Sequence, residues 1–498
     1  MVNSGTGSRL RSPIRARGFA LCAAGILAAA PLALSGCAMF RKFDVAQIHQ
    51  ESALRQGRNP VIVIHGFIGA KLKNRHTQES AWGRFINAVK RCKTDDLSLP
   101  IDRLPITENR DDLVAYAIYE SVAGVKFYGA LLDALEMAGG YQFGDINNPR
   151  PEDTGFVYYY DWRRDIGESA IGLGRAIQQI KGRLKNPDLR FDIVAHSMGG
   201  LVAEYYLKYG TEDVLGDGQE HAVTYAGAAN LGRVILVGTP LRGTMHALQT
   251  MNTGFSRTMS PEVLFTMPSI YQLLPDDARG HLVDPQGTPI DADLYDAETW
   301  VKNGWSIFGP RGRSPLPDAP ATSGGRPAAD AGGRPAAKAA GAPLDRMKVF
   351  LQAALDRARA LHAALRNDAE GGSPVPIHVF GSDCIPTLDR VVLKQTPSGT
   401  VTMFNDETAQ HSDLKQLERV MLVPGDGTVT ADSLLSLDAP TGDPSDGQRA
   451  ARTFSSTFFF CETHGLLPAN RGFQDNLFYV LFYSPQRPAP LATFVGGR

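Results

Sequence analysis

Six short apolar runs, rich in β-branched and aromatic residues, recur along the chain at 61–65, 156–162, 191–195, 234–237, 376–380 and 453–460. Each has the length of a buried strand. Longer stretches with helical spacing separate them, at 125–138, 166–184 and 200–209. In the first of these, Phe127, Leu131, Leu132, Leu135 and Met137 recur near helical spacing. Buried strands alternating with helices predict an α/β fold, with a mostly parallel central sheet and helices on both faces.

Two stretches break the alternation. Residues 241 to about 308 form a long insertion after a strand. Residues 310–343 are rich in Ala, Gly and Pro, and repeat Gly-Gly-Arg-Pro-Ala-Ala from Gly324 and again from Gly332. With little apolar bulk to offset the entropy of ordering, that segment reads as a disordered loop. A helix from Leu344 to about Leu365 follows, and the sheet resumes at Pro376. The excursion of about 241–375 is therefore expected to be a cap within one domain of residues 59–498.

The first residues are not part of that pattern. Arg9, Arg11, Arg15 and Arg17 precede an apolar run at 19–34, interrupted by Pro31 and shorter than the ~20 residues of a comfortable membrane span. This is the layout of an export signal over 1–36. It ends in Leu34-Ser35-Gly36-Cys37, which resembles the bacterial lipobox. The resemblance implies cleavage before Cys37, lipid attachment there, and a tether over 37–58. Several acyl chains on one residue exceed what stable anchoring needs. The plainer alternative is an ordinary cleaved signal that contains a cysteine. Ala38, not Asp, follows Cys37, which favours the outer membrane of a bacterial cell envelope.

Composition adds exclusions. Of 498 residues, 43% are hydrophobic and 21% charged, which suits a chain with a sizeable core. The formal net charge is −1; without the four leader arginines it is −5, which gives no electrostatic case for a nucleic-acid partner. Beyond Cys37 only Cys92, Cys384 and Cys461 remain, an odd number in a compartment where disulfides persist. No His/Cys cluster has zinc spacing, so no metal or cofactor is expected.

The chemistry concentrates in a few short motifs. Phe191-Asp-Ile-Val-Ala-His-Ser-Met-Gly-Gly200 reads as a buried strand, a sharp turn and a helix start, with Ser197 on the turn. This is the nucleophile-elbow pattern, with Ala195 at the first small position. Ala195 and Gly199 must be small because strand and helix backbones approach closely there. The turn sets the amide of Met198 at a helix N-terminus, where orphan N–H groups favour developing negative charge. Upstream, a buried strand ends in His65-Gly66-Phe67. Gly66 lets the backbone turn so that the Phe67 amide completes a two-donor oxyanion hole with Met198.

In this type of fold the chain order is serine, acid, histidine. Of 11 histidines, only His464 lies beyond every plausible acid loop, just after the run 453–460. His65 and His196 sit inside motifs and read as structural. Two acids compete. Asp426, in the tight turn Gly425-Asp426-Gly427-Thr428-Val429, is favoured because such a turn holds a carboxylate rigidly. Asp383, close behind the strand at 376–380, is the rival. Asp161 and Arg163 read as a buried ion pair near a strand end.

Taken together these residues resemble the lecithin:cholesterol acyltransferase-like family, of the α/β-hydrolase superfamily, which also contains lysosomal phospholipases. The matching stretches are 60–72, Ala81-Trp82-Gly83, Tyr160-Asp161-Trp162-Arg163, 195–200, Val237-Gly238-Thr239-Pro240, 268–275, 379–388 and 425–429, closing at His464. They run in family order over most of the chain beyond residue 59. The resemblance implies an α/β-hydrolase fold, a lid after the oxyanion strand, and acyl transfer on lipid esters such as phospholipids. It sets Ser197, Asp426 and His464 on the triad positions, Phe67 and Met198 on the oxyanion positions, and Trp82 in the lid region near the acyl chain. Two departures stand out. Animal members close the lid loop with a local disulfide, whereas Cys92 has no nearby partner, and the insert at 310–343 is foreign to the pattern.

Met245, Leu248, Met251, Phe255, Met259, Leu264, Phe265 and Met267 form a soft apolar stretch in the cap. Either it adapts to acyl chains, as methionine-rich surfaces do, or it is buried cap core. In this fold the strands bearing acid and base are neighbours, which makes Cys384 and Cys461 candidates for a disulfide bracing the two loops. Three functions compete: a lipid esterase, phospholipase or acyltransferase; an esterase for small soluble esters; and a catalytically inactive lipid-binding lipoprotein. The complete Ser/Asp/His set argues against the last.

Overall fold

The structure is a computed structural model that describes residues 58–83, 97–122, 125–255, 259–276, 280–309, 343–397, 399–405, 415–437 and 452–483. All of them belong to one unit, His49–Arg498. The export signal, the tether residues 37–57 with Cys37, Cys92, and the insert at 310–342 lie outside the described residues.

Strand β1 (Val61–Ile64) is Val-Ile-Val-Ile, buried along its whole length. Its sequence shows no polar alternation because both faces of the strand are covered. The chain then makes a small antiparallel sheet from β2 (Ala70–Asn74), β3 (Ser80–Trp82) and β4 (Leu113–Ile118), ordered β3-β2-β4, and a short hairpin, β5 (Ser121–Val122) with β6 (Val125–Lys126). Helix α1 (Tyr128–Met137) and strands β7 (Phe143–Gly144) and β8 (Gly155–Tyr158) follow. Helix α2 (Ile166–Leu184) buries Ile166, Ala170, Leu173, Ile177 and Ile180 on one stripe; Asp165 caps it by accepting from the Glu168 amide at 2.9 Å. Strand β9 (Phe191–His196), helix α3 (Met198–Tyr209) and strand β10 (Leu231–Val237) complete the centre, and all are buried throughout.

After β10 the chain leaves the sheet through α4 (Met245–Thr253), α5 (Pro261–Phe265), α6 (Pro268–Tyr271), β11 (Leu282–Val283), α7 (Ala297–Asn303) and α8 (Pro343–Arg366). It returns as β12 (Ile377–Gly381). A second excursion comprises β13 (Ile385–Leu388), β14 (Val391–Thr396), β15 (Gly399–Met403), α9 (Lys415–Met421), β16 (Leu422–Gly425) and α10 (Ala431–Leu434). The last strand is β17 (Ser456–Phe459) and the last helix α11 (Arg471–Phe482).

The central sheet runs β17-β12-β10-β9-β1-β8-β7, and every pairing in it is parallel. The chain starts in the middle at β1, goes out to the edge strand β7 and returns as β8 beside β1, then crosses to β9 and builds outward the other way. The strand order therefore reverses beside β1, and the crevice at the carboxyl ends of β1 and β9 is where such sheets hold ligands. This is the α/β-hydrolase fold expected from the sequence.

The six strand runs all appear, with ends shifted: the runs at 61–65 and 453–460 are shortened, whereas those at 191–195 and 234–237 extend to Phe191–His196 and Leu231–Val237. Pro343 opens α8 and so is not part of a loop. Strand β11 pairs with β14, more than a hundred residues away and beyond β12. Of the two readings of the apolar cap stretch, burial decides. Met245, Leu248, Met251, Met259, Leu264, Phe265 and Met267 are all at most 2% exposed and packed into the main core. Only Phe255 is half-buried. These side chains are cap core and do not line a surface for acyl chains. Among the described residues no helix is long and apolar enough to cross a membrane.

Candidate active site

Ser197 lies between β9 and α3 with φ 55° and ψ −129°. Positive φ is strained for a residue with a Cβ, and persists only where the surroundings enforce it. Here the Ser197 N–H donates to Val237 O on the neighbouring strand at 2.8 Å, while Ser197 O accepts from the Gly200 amide at 2.8 Å. The turn is thus held from both sides. Met198 opens α3, so its amide has no acceptor one turn earlier in the helix.

The end of β1 packs against this turn. A Cβ on Gly66 would lie 2.7 Å from Ser197 Cβ, and one on Gly199 would collide with His65 O. Both positions must be glycine for the two backbones to approach. Phe67 follows Gly66 in a turn closed by the Gly69 N–H donating to Gly66 O at 3.1 Å. Ile68, inside this turn, has φ 56°, an outlier for a β-branched residue.

His65 and His196 flank the serine turn, and both are buried and neutral. Burial lowers His65 to about 4. Its Nδ1–H donates to Gly66 O at 2.8 Å and its Nε2 accepts from the Tyr160 N–H at 3.2 Å. Burial, and then the neighbouring His464, lower His196 to about 3.

The structure brings Ser197, His464 and Asp426 together. The Ser197 hydroxyl donates to His464 Nε2 at 2.8 Å, and His464 Nδ1–H donates to Asp426 Oδ2 at 2.7 Å. His464 starts a short 3-10 turn (His464–Ala469), and its N–H also donates to Asp426 O at 2.9 Å. Asp426 Oδ1 accepts from the Thr428 and Val429 amides at 2.9 and 2.7 Å. Burial alone would raise the Asp426 carboxyl, but His464 and these two amides outweigh it and hold it below the ordinary carboxylate value.

The rival Asp383 is exposed, and the carboxylate that accepts from His464 is Asp426. The reason is the second excursion. β13 and β16 pair antiparallel, Ile385 with Gly425, which carries Asp426 back to the carboxyl edge of the sheet. Thr387 then accepts from the Gly427 amide at 2.8 Å and fixes the turn. Cys384 and Cys461 form a disulfide with a Cα–Cα distance of 5.5 Å. β12 and β17 are neighbours, so each cysteine lies just past the end of one of two paired strands.

Trp82 ends β3, half-buried, with its indole N–H directed at Ile68 O at 3.4 Å and its ring edge-on to Trp162. It therefore stands beside the Phe67 turn. Arg163 is fully buried and bonds Asp161, as read from the sequence, but also Asp111 at 2.7 and 2.9 Å and Leu97 O at 3.0 Å. Asp111, Thr387 and Tyr128 were not legible: each is a lone polar residue whose partner lies far away in sequence. Among the described residues no group of His, Cys, Asp or Glu has the arrangement of a metal site.

Chemically, the arrangement presents a hydroxyl hydrogen-bonded to an imidazole, and an imidazole oriented by a carboxylate. These are the parts of nucleophilic acyl transfer.

Residues 146–292 match the lecithin:cholesterol acyltransferase family. The matched stretch contains Tyr160-Asp161-Trp162-Arg163 and Ser197, and ends before Asp426 and His464. An uncharacterized Saccharomyces cerevisiae protein, YJR098C, is 26% identical over 259 residues, 51% of this chain; that match spans 35% of the relative's length. Among solved structures, a chain of the Tle4–Tli4 complex is 13% identical, covers 85% of this chain and 98% of its own, and has a TM-score of 0.48. Phospholipase PlaB from Legionella pneumophila is 12% identical over 49% of this chain and 35% of its own, with a TM-score of 0.21. The parallel sheet with its switch point and the strained serine elbow make this an α/β-hydrolase fold, within which residues 146–292 resemble the lecithin:cholesterol acyltransferase family.

Proposed function

We propose that the protein is a serine acyl-hydrolase or acyltransferase that acts on lipid esters, phospholipids among them, through an acyl-enzyme on Ser197. The observation that carries this reading is the continuous hydrogen-bond line from Ser197 through His464 to Asp426. His464 takes the hydroxyl proton as Ser197 Oγ attacks the ester carbonyl. The Phe67 and Met198 amides stabilise the oxyanion, each donor contributing ~10²–10³ in rate. His464 returns the proton to the leaving alcohol, and water or a second alcohol then takes the acyl group by the reverse path. Asp426 stays ionised, fixes the tautomer of His464 and stabilises its charged form. The family supports a lipid ester as substrate. Trp82, beside the Phe67 turn, is proposed to border the acyl chain. Cys37 is proposed to anchor the chain by lipid to the cell envelope, on the lipobox-like sequence alone.

The test is direct. A fluorophosphonate probe is expected to label wild-type protein at Ser197, and absence of labelling sinks the reading in favour of an inactive lipid-binding scaffold. Product analysis on phosphatidylcholine vesicles, with and without a sterol, separates hydrolysis from transfer. Turnover of small esters alone favours the soluble-ester alternative.

A further inference from the structure

The mechanism uses the side chain of His464 and the amide of Phe67, but does not explain what holds these two loops in register. They come from residues about four hundred positions apart, and they are bridged by a buried line of three hydrogen bonds. The Gly66 N–H donates to Tyr128 Oη at 2.8 Å. Tyr128 Oη lies 2.7 Å from His196 Nδ1. His196 Nε2 lies 3.0 Å from His464 O.

The proton positions follow from elimination. A carbonyl oxygen only accepts, so His196 Nε2 carries the hydrogen and donates to His464 O. Neutral imidazole has one N–H, so Nδ1 is the acceptor. Tyr128 must then donate to it, which leaves the phenol oxygen free to accept from Gly66. Every group has its partner and the line has a single direction. Burial, with His464 next to it, keeps His196 neutral at about 3, so the line survives when His464 becomes charged during turnover. The two imidazoles are only 4.9 Å apart between ring centres, and a second positive charge there would oppose protonation of His464.

At one end, the line holds the residue just before the proposed oxyanion donor. At the other, it grips the carbonyl of His464, whose N–H is already held by Asp426 O. Tyr128 is the first residue of α1, and Phe127 before it packs beside Gly465. Helix α1 thus serves as the splint between the two loops.

We propose that Tyr128 and His196 are positioning residues, which lock the oxyanion turn and the backbone of His464 into one frame without touching the reacting atoms. The proposal rests on the acyl-enzyme reading above. The test uses full-length protein and p-nitrophenyl butyrate, with active sites counted by end-point fluorophosphonate labelling. Tyr128→Phe is expected to lower kcat by about 10–100-fold, because small misplacements of reacting groups cost that much. KM is expected to change by less than about threefold. His196→Leu is expected to behave alike, and the double variant to be no worse than the poorer single one, because both break the same line. A lower melting temperature with unchanged kcat per labelled site, or losses that multiply in the double variant, overturns the proposal. Should Tyr128→Phe fail to fold, His196→Gln against His196→Leu decides it. The Gln amide still donates to His464 O and is expected to recover about fivefold or more of the loss; equal loss overturns the proposal. Wild-type protein that is not labelled at Ser197 overturns the acyl-enzyme reading and this proposal with it. Labelled wild-type protein with an unimpaired Tyr128→Phe variant overturns only this one.

Discussion

At the amino end of β9, Asp192 lies between Arg233 and Asn59. At its carboxyl end, five residues later, Ser197 lies between His464 and Gly66. Both ends bury polar groups, and the two solve the resulting problem in different ways. At the amino end charge is answered with charge. Asp192 is 3.3 Å from Arg233 Nε and accepts from Asn59 at 2.9 Å, while Arg233 also donates to Val480 O. Both side chains are about 1% exposed, and the backbone there is ordinary strand. At the carboxyl end the histidines His65 and His196 are neutral and the backbone is strained. Hydrogen bonds there are directional, running from Ser197 to His464 to Asp426. At the amino end opposite charges lie against each other, although Asp192 Oδ2 and Arg233 Nε make no hydrogen bond. Neutral, oriented donors and acceptors at the carboxyl end leave an unmatched position for a developing charge.

The comparison predicts that damage at the two ends separates activity from stability. The largest effect is expected from Ser197→Ala, which should lower esterase activity by about 10⁴–10⁶-fold with little change in melting temperature. Retention of most activity would move the nucleophile elsewhere. Asp426→Asn should follow at about 10³–10⁴-fold in kcat, whereas Asp383→Asn should stay within about twofold; the reverse order breaks the acid assignment.

Arg233→Ala reverses the pattern. It leaves Asp192 buried without its partner and should cost about 3–5 kcal/mol in chemical denaturation. The activity of the molecules that remain folded should be nearly unchanged. A specific loss of kcat in this variant would mean that the two ends of β9 are coupled. Replacing Cys384 and Cys461 together by serine should cost about 2–4 kcal/mol. It should also loosen the turns that lead to Asp426 and His464, so kcat is expected to drop modestly, and an unchanged melting temperature would count against a bracing role.

The smallest expected effect concerns pH. Burial raises Asp192 to about 6, against an ordinary value near ~3.9. The folded state therefore holds this proton more tightly than the unfolded state does. The stability linked to it is full below the ordinary value, falls as pH rises towards 6, and is flat above that. Asp192→Asn should remove a slope of about 1–3 kcal/mol between pH 4 and 6 in denaturation midpoints. Asp426 has the opposite sign. Its contribution is present above the ordinary carboxylate value and is lost as pH falls through its depressed folded value. A slope that persists in Asp192→Asn would assign it to another group.

What the sequence determined by itself was the central sheet and the serine turn. Runs such as Val61 to Ile64 and Phe191 to Ala195 are apolar on both faces, and only a covered parallel strand accommodates that pattern. Ala195, Ser197 and Gly199 mark the elbow because the close approach of backbones is a local demand, met by local residues. His464 was legible from chain order. Other features were decided only in three dimensions. Asp426 reaches His464 because β13 and β16 pair and swing the turn back to the edge of the sheet. The methionine-rich cap stretch is core because α4 to α8 fold over it, although its composition fits a lipid-facing surface equally well. The roles of Tyr128, Asp111 and Thr387 are invisible along the chain. A hydrogen bond between residues tens or hundreds of positions apart leaves no periodicity, whereas burial of a strand or stripe repeats at every second or fourth residue and can be read in one dimension.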